Sequence, residues 1–132
     1  VQFFIEVSIV IDTIGGTMGQ DLFGVCPFAT AQRVLSGKWA LLVLHYLSQR
    51  TMRFGELQRT LPDMTQATLS KQLKEMEHSG LIVRRAYSQI PPKVEYSLSD
   101  IGRRFMPVLD ALEDWGNQYI DFIGLQEPQT GG

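Results

Sequence analysis

Gln66, Thr68, Ser70, Lys71 and Lys74 bring amide, hydroxyl and ammonium groups, with no acid among them, into one short stretch of the chain. Gln and Thr donate and accept hydrogen bonds, which suits the edges of bases in the major groove of DNA, and Lys neutralises phosphates. Arg84, Arg85 and Lys93 add further cations just downstream. Taken alone, Lys71 and Lys74 could equally be a solvated helix face, and the surrounding segment has to decide between the two readings.

Other reactive residue types are sparse. Cys26 is the only cysteine. It precedes Pro27 at an expected helix start, where the helix dipole favours a thiolate. It is therefore either a thiol that responds to oxidants or electrophiles or an inert packing residue. His45 lies in a strongly apolar stretch and is expected to be a satisfied core histidine. His78 falls near a helix C-terminus, where a cation suits the dipole. Neither histidine has Cys, Asp or Glu at metal-ligand spacing. No nucleophile, base and orienting acid stand at catalytic spacing, and no glycine loop cradles a phosphate. A non-enzymatic protein with no metal and no cofactor is the expectation.

The elements that must carry these residues follow from the punctuation. Pro27 reads as the first position of a helix ending near Leu35, before Ser36-Gly37. Residues 38–48 are apolar on nearly every face, so this helix is expected at the centre of the domain. Residues 54–61 form a short amphipathic helix with Phe54, Leu57 and Leu61 inward, and Pro62-Asp63 makes a tight turn. Thr65 caps a helix over 65–79 whose Leu69, Leu73 and Met76 recur at i, i+4 and i+7, and Gly80 stops it. Two short helices joined by a tight turn, the second rich in hydrogen-bonding groups, make a helix-turn-helix pattern. Residues 81–87 and 93–98 are strand-like and flank Pro91-Pro92, which gives a basic hairpin with a stiff tip, the wing of a winged helix. Arg84 and Arg85 alternate on a strand, so one of them is expected to pair with a core-side acid such as Glu95 while the other faces DNA.

Ser99 caps the last helix, expected over 99–124, and Pro107 should kink or split it. Ile101, Phe105, Val108, Leu112, Trp115, Tyr119 and Phe122 form a heptad-like stripe along it, widened by Leu109, Ile120 and Ile123. A stripe this wide exceeds what one surface helix buries, so Val108, Leu112, Trp115, Tyr119 and Phe122 are expected to hold a homodimer together.

Charge partitions in the same way. The 132 residues carry a net charge of −2, yet all 12 Lys and Arg lie between residues 26 and 107, against 6 acids. That centre is +6 between acidic ends, an asymmetry that suggests nucleic acid. With 44% hydrophobic and 20% charged residues the composition is that of one soluble globular domain. One cysteine and no membrane-spanning apolar run point to a reducing cytoplasm and no membrane partner. Residues 1–25 read as a strand-like extension, not patterned like a signal peptide, and closed by Gly15-Gly16; whether it is wholly native is open, Met18 being an alternative start. Residues 26–124 form the domain and 125–132 a flexible tail.

From Cys26 to about Tyr119 the chain resembles the HxlR-type winged-helix transcriptional regulators, relatives of the MarR-like repressors. The resemblance rests on Cys26-Pro27, GKW at 37–39, RFGEL at 53–57, SKQLKEMEHSGLIVR at 70–84, PPKVEYSLSDIGRRF at 91–105 and PVLDALEDWG at 107–116. The double-proline wing and the final tryptophan-glycine are its specific parts. It implies a homodimer joined through terminal helices, with recognition helices in successive major grooves of double-stranded DNA and wings beside the backbone. Some members resembling this chain sense oxidants or electrophiles at the equivalent of Cys26. The expected fold is mainly α with a small β-hairpin, a winged helix-turn-helix. The expected function is a sequence-specific regulator acting on a palindromic operator, open to a small-molecule or redox effector. Gln66, Thr68, Ser70 and Lys71 face bases, and Lys74, Arg84, Arg85 and Lys93 face phosphates. The rival is a winged helix that only binds proteins.

Overall fold

A computed structural model describes residues 22–61 and 63–126. Residues 1–21 of the strand-like extension, Pro62 of the tight turn and the tail beyond residue 126 lie outside the described residues. The chain divides into two compact units, up to Lys38 and from Trp39 onward.

In the first unit Pro27 occupies the first turn of α1 (Pro27–Val34), where its missing N–H costs nothing. Cys26 is the N-cap, and its carbonyl accepts from Thr30 Oγ1 at 2.7 Å. The same Oγ1 accepts from the Gly24 N–H at 2.8 Å, which ties the preceding turn to the helix. The Arg33 guanidinium lies 5.1 Å from the Phe23 ring centroid.

The second unit contains α2 (Ala40–Gln49), β1 (Met52–Arg53), α3 (Phe54–Thr60), α4 (Gln66–His78), β2 (Ile82–Tyr87), β3 (Lys93–Leu98), α5 (Asp100–Arg104) and α6 (Met106–Gln126). The strands form an antiparallel sheet in the order β1-β3-β2. The hairpin was expected; β1 was not, because two residues are too few for an alternation signal. Ala40, Val43, Leu44 and Leu47 of α2 are buried with Leu57, Leu61, Leu69, Leu73 and Met76. Leu41 and Leu42 remain 40% and 38% exposed, so α2 is central on one side only, and the expectation of burial all round is corrected. His45 is also half-buried rather than a core residue, because it lies on that open side.

Glu56 fixes the start of α3. Its carboxylate accepts from the Arg53 N–H at 2.9 Å and from the Arg50 guanidinium at 2.8 Å. These bonds, the Arg53 N–H foremost, hold the carboxyl below its usual value of 4.5. A carboxylate held low in the folded state stabilises above its usual range, and that gain is lost as pH falls through the folded value. Glu56→Gln is therefore expected to melt below the wild type at neutral pH, with the two curves converging in acid; thermal unfolding across that pH range checks this.

One serine ties the start of α5 to the turn that precedes the wing. The Ser99 hydroxyl donates to the Gly80 carbonyl at 2.5 Å and the Leu81 carbonyl at 2.9 Å, and accepts from the Gly102 N–H at 3.1 Å. Gly102 is buried, and a Cβ there would collide with the backbone carbonyl of Leu81. Because backbone cannot move aside cheaply, Gly102→Ala is expected to cost about 1–3 kcal/mol, measured by urea unfolding. The last helix is split as expected: α5 stops at Arg104 and α6 starts at Met106, since Pro107 cannot donate to the carbonyl four residues back. The helix continues to Gln126, two residues past the expected end.

Candidate nucleic-acid interface

Thr65 creates the helix that matters most. Its Oγ1 accepts the Thr68 N–H at 3.1 Å, capping α4, and donates to Thr68 Oγ1 at 2.9 Å. Leu69, Leu73 and Met76, at 0–1% exposure, fix the rotation of α4 on the core. Each contributes about 1.5–3 kcal/mol by burial, enough to set which face is left outward. Gln72 is buried beside them, an inward polar residue that the apolar period did not reveal. Gln66, Thr68, Lys71 and Lys74 are exposed, as expected, and the first turn holds no acid. Thr68 keeps its own O–H available as a donor, because only its oxygen is engaged by Thr65.

Ser70 departs from its expected place. It is half-buried and lines a depression of about 360 Å³ together with Lys74, Glu77, Arg84, Phe54 and Tyr96. The helix and the wing thus meet over a shared basic pocket. Register explains it: Arg84 stands opposite Tyr96 and so shares the core-side face of the sheet, leaning toward α4. Arg85 stands opposite Glu95 on the other face, as does Arg53 from β1. The expected pairing is corrected: Glu95 lies on the face away from the core and its ion-pair partner among the described residues is Lys93, not an arginine, while Arg84 shares the core-side face and lines the depression beside α4.

Lys93 is more engaged than expected. Its Nζ lies 3.3 Å from Glu95 Oε2 and 4.7 Å from the Tyr87 ring centroid. Glu95 is thus surrounded by Arg53, Arg85 and Lys93, and that face of the wing keeps a positive surplus. Ile90 at the tip is 99% exposed, and the Ile90–Pro91 peptide is cis.

Along α6 the stripe is open: Val108, Leu112, Trp115, Tyr119 and Phe122 are all at least 38% exposed. Trp115, Tyr119 and Phe122 form a row of tilted ring contacts with centroids 5.3 and 5.5 Å apart. Cys26 is buried, and among the described residues no group of His, Cys, Asp and Glu could hold a metal ion. Nor is any helix among them long and apolar enough to cross a membrane.

A helix-turn-helix, a hairpin wing and a long terminal helix in this order match the model of the HxlR-like helix-turn-helix family over residues 34–123. The chain belongs to this family. YdeP, an HTH-type transcriptional regulator of Bacillus subtilis (strain 168), is 41% identical over 110 residues, covering 83% of this chain and 86% of YdeP. An HTH-type regulator of Methanothermobacter thermautotrophicus is 43% identical over 105 residues, 80% of this chain and 79% of its own length. Among solved structures, the redox regulator HypR in its reduced form superposes with a TM-score of 0.71 at 35% identity, covering 75% of this chain and 98% of HypR. The HTH-type regulator YtcD gives 0.70 at 41% identity, covering 73% and 98%. This HxlR-like chain is accordingly a winged-helix transcriptional regulator, a class that does no enzymatic chemistry. The family match begins after Cys26, so the thiol lies outside the matched residues.

Proposed function

We propose that the protein is a homodimeric, sequence-specific DNA-binding regulator acting in the cytoplasm on a palindromic operator. The observation that carries this reading is the outward face of α4, where Gln66, Thr68, Lys71 and Lys74 stand exposed and Lys74 joins Arg84 across the depression beside the wing. Gln66 and Thr68 read base edges, with Ser70 and Lys71 next to them; Lys74, Arg84 and Arg85 meet phosphates. Lys93, held by Glu95, contributes less to phosphate binding than Lys74. The open stripe of α6 supplies the dimer, which sets the two recognition helices about one helical turn, roughly 34 Å, apart.

Selection of bound sequences from a random pool of duplex DNA tests the reading. An enriched inverted repeat with half-sites one turn apart supports it, and an unenriched pool contradicts it.

Cys26 is the redox or electrophile candidate, a proposal supported by likeness to HypR, solved in reduced and oxidised forms. Diamide treatment is expected to change operator affinity in the wild type and to leave Cys26→Ser unaffected. An unchanged wild type would make Cys26 a packing residue, in keeping with its burial.

A further inference from the structure

The open side of α2 and the facing side of α6 line an open cleft of about 500 Å³ that shares Leu112 with the proposed dimer stripe and is otherwise unused by the DNA-binding reading. Its walls are apolar: Leu41 and Leu42 come from α2, and Leu109 and Leu112 from α6. Leu41 and Leu42 are 40% and 38% exposed and lie outside the proposed dimer stripe, so an apolar body seated there would remove their side chains from water. The volume falls in the range of small-molecule sites.

The polar groups in the cleft are of one sign. Asp110 and Glu113 line it from α6, and no Lys or Arg does. Neither carboxylate forms an ion pair among the described residues, where the pairs are Arg50 with Glu56 and Lys93 with Glu95. On the opposite wall the Gln49 amide nitrogen lies 3.3 Å from His45 Nε2, with the imidazole as acceptor, and the Ser48 hydroxyl donates back to the His45 carbonyl. These polar groups are already engaged with one another and leave the two carboxylates as the unmatched feature. A metal ion is the poorer match, since two carboxylates alone supply too few ligands and the remaining wall is leucine.

We propose that this cleft binds an organic cation with an apolar body, its ammonium held by Asp110 and Glu113 and its hydrocarbon part against Leu41, Leu42 and Leu109. Charge complementarity selects the class: a neutral apolar molecule leaves both carboxylates unmatched, and an anion is repelled by them.

Binding is independent of any DNA contact and is measured without DNA. Phenylbutylammonium, phenylbutanol and phenylbutyrate share one hydrocarbon body and differ in charge. Titrated calorimetrically into the full chain, the cation is expected to bind about tenfold more tightly than the alcohol, the size of one charge-assisted contact, and the anion most weakly. Amide chemical-shift changes should cluster at Leu41, His45, Gln49 and Asp110. The double variant Asp110→Asn with Glu113→Gln should lose the preference for the cation while still binding the alcohol. Leu41→Ser, on the other wall, should weaken all three probes alike. Both variants alter exposed positions, so the fold is expected to survive, as thermal unfolding would show. Equal binding of the three probes, no binding of any, or a cation preference that persists in the double variant would overturn the proposal.

Discussion

Trp115→Ala is expected to convert the proposed dimer to monomer at micromolar concentration while leaving each chain folded. In the single chain Trp115 is 61% exposed and meets the Tyr119 ring at a tilt, as Tyr119 in turn meets Phe122. It therefore gives little to the core of its own chain and lies at the middle of the exposed apolar stripe of α6. Truncating a large aromatic anchor of this kind costs about 2–4 kcal/mol of association, roughly 30- to 1,000-fold in dissociation constant. The neighbouring Val108 and Ile123 at the edges of the stripe should cost less, because edge contacts serve mainly to exclude water. Sedimentation equilibrium measures the change, and unfolding by urea confirms that the monomer is intact. A Trp115→Ala protein that stays fully dimeric would move the interface off α6.

Helix α4 was legible in the sequence because three independent signals agreed on it. Thr65 supplied a cap, Leu69, Leu73 and Met76 supplied the apolar period, and Gly80, observed at φ +87°, supplied the stop. The break near Pro107 was readable for a similar reason, since a missing N–H acts locally whatever the tertiary context. What escaped was decided by pairing across the chain. Ser70 looked outward on composition alone, but the lean of Arg84 toward α4 turns it into the wall of a depression. Lys93 looked like a free cation until the β3 strand set Glu95 on its own face, 3.3 Å away. β1 was invisible because a strand of two residues exists only through its partner, Tyr96 and Glu95. In α2 the continuous apolar run hid an open side, because periodicity cannot mark a solvent face on a helix that has few polar residues to place there.

The second large effect separates base reading from phosphate binding. Gln66 and Thr68 are exposed at the start of α4 and Lys74 lies on its wing side, so the two kinds of contact belong to different residues of one helix. Base-edge hydrogen bonds exist only in the matched complex, and losing a good pair costs roughly 1–3 kcal/mol there and little elsewhere. A phosphate contact releases condensed counterions whatever the sequence, so its loss weakens all DNA alike and lowers the salt slope by about one phosphate per subunit. Lys93→Ala should flatten the slope less than Lys74→Ala, since Lys93 already has an acid beside it.

The most direct measurement is therefore the affinity of wild type, Gln66→Ala and Lys74→Ala for the selected operator and for random duplex, each at two salt concentrations. Gln66→Ala should lose affinity on the operator alone with its salt slope intact, and Lys74→Ala should lose affinity on both duplexes with a shallower slope. A wild type that does not distinguish the two duplexes, or two variants that weaken in the same pattern, would contradict α4 as the reading helix of a sequence-specific regulator.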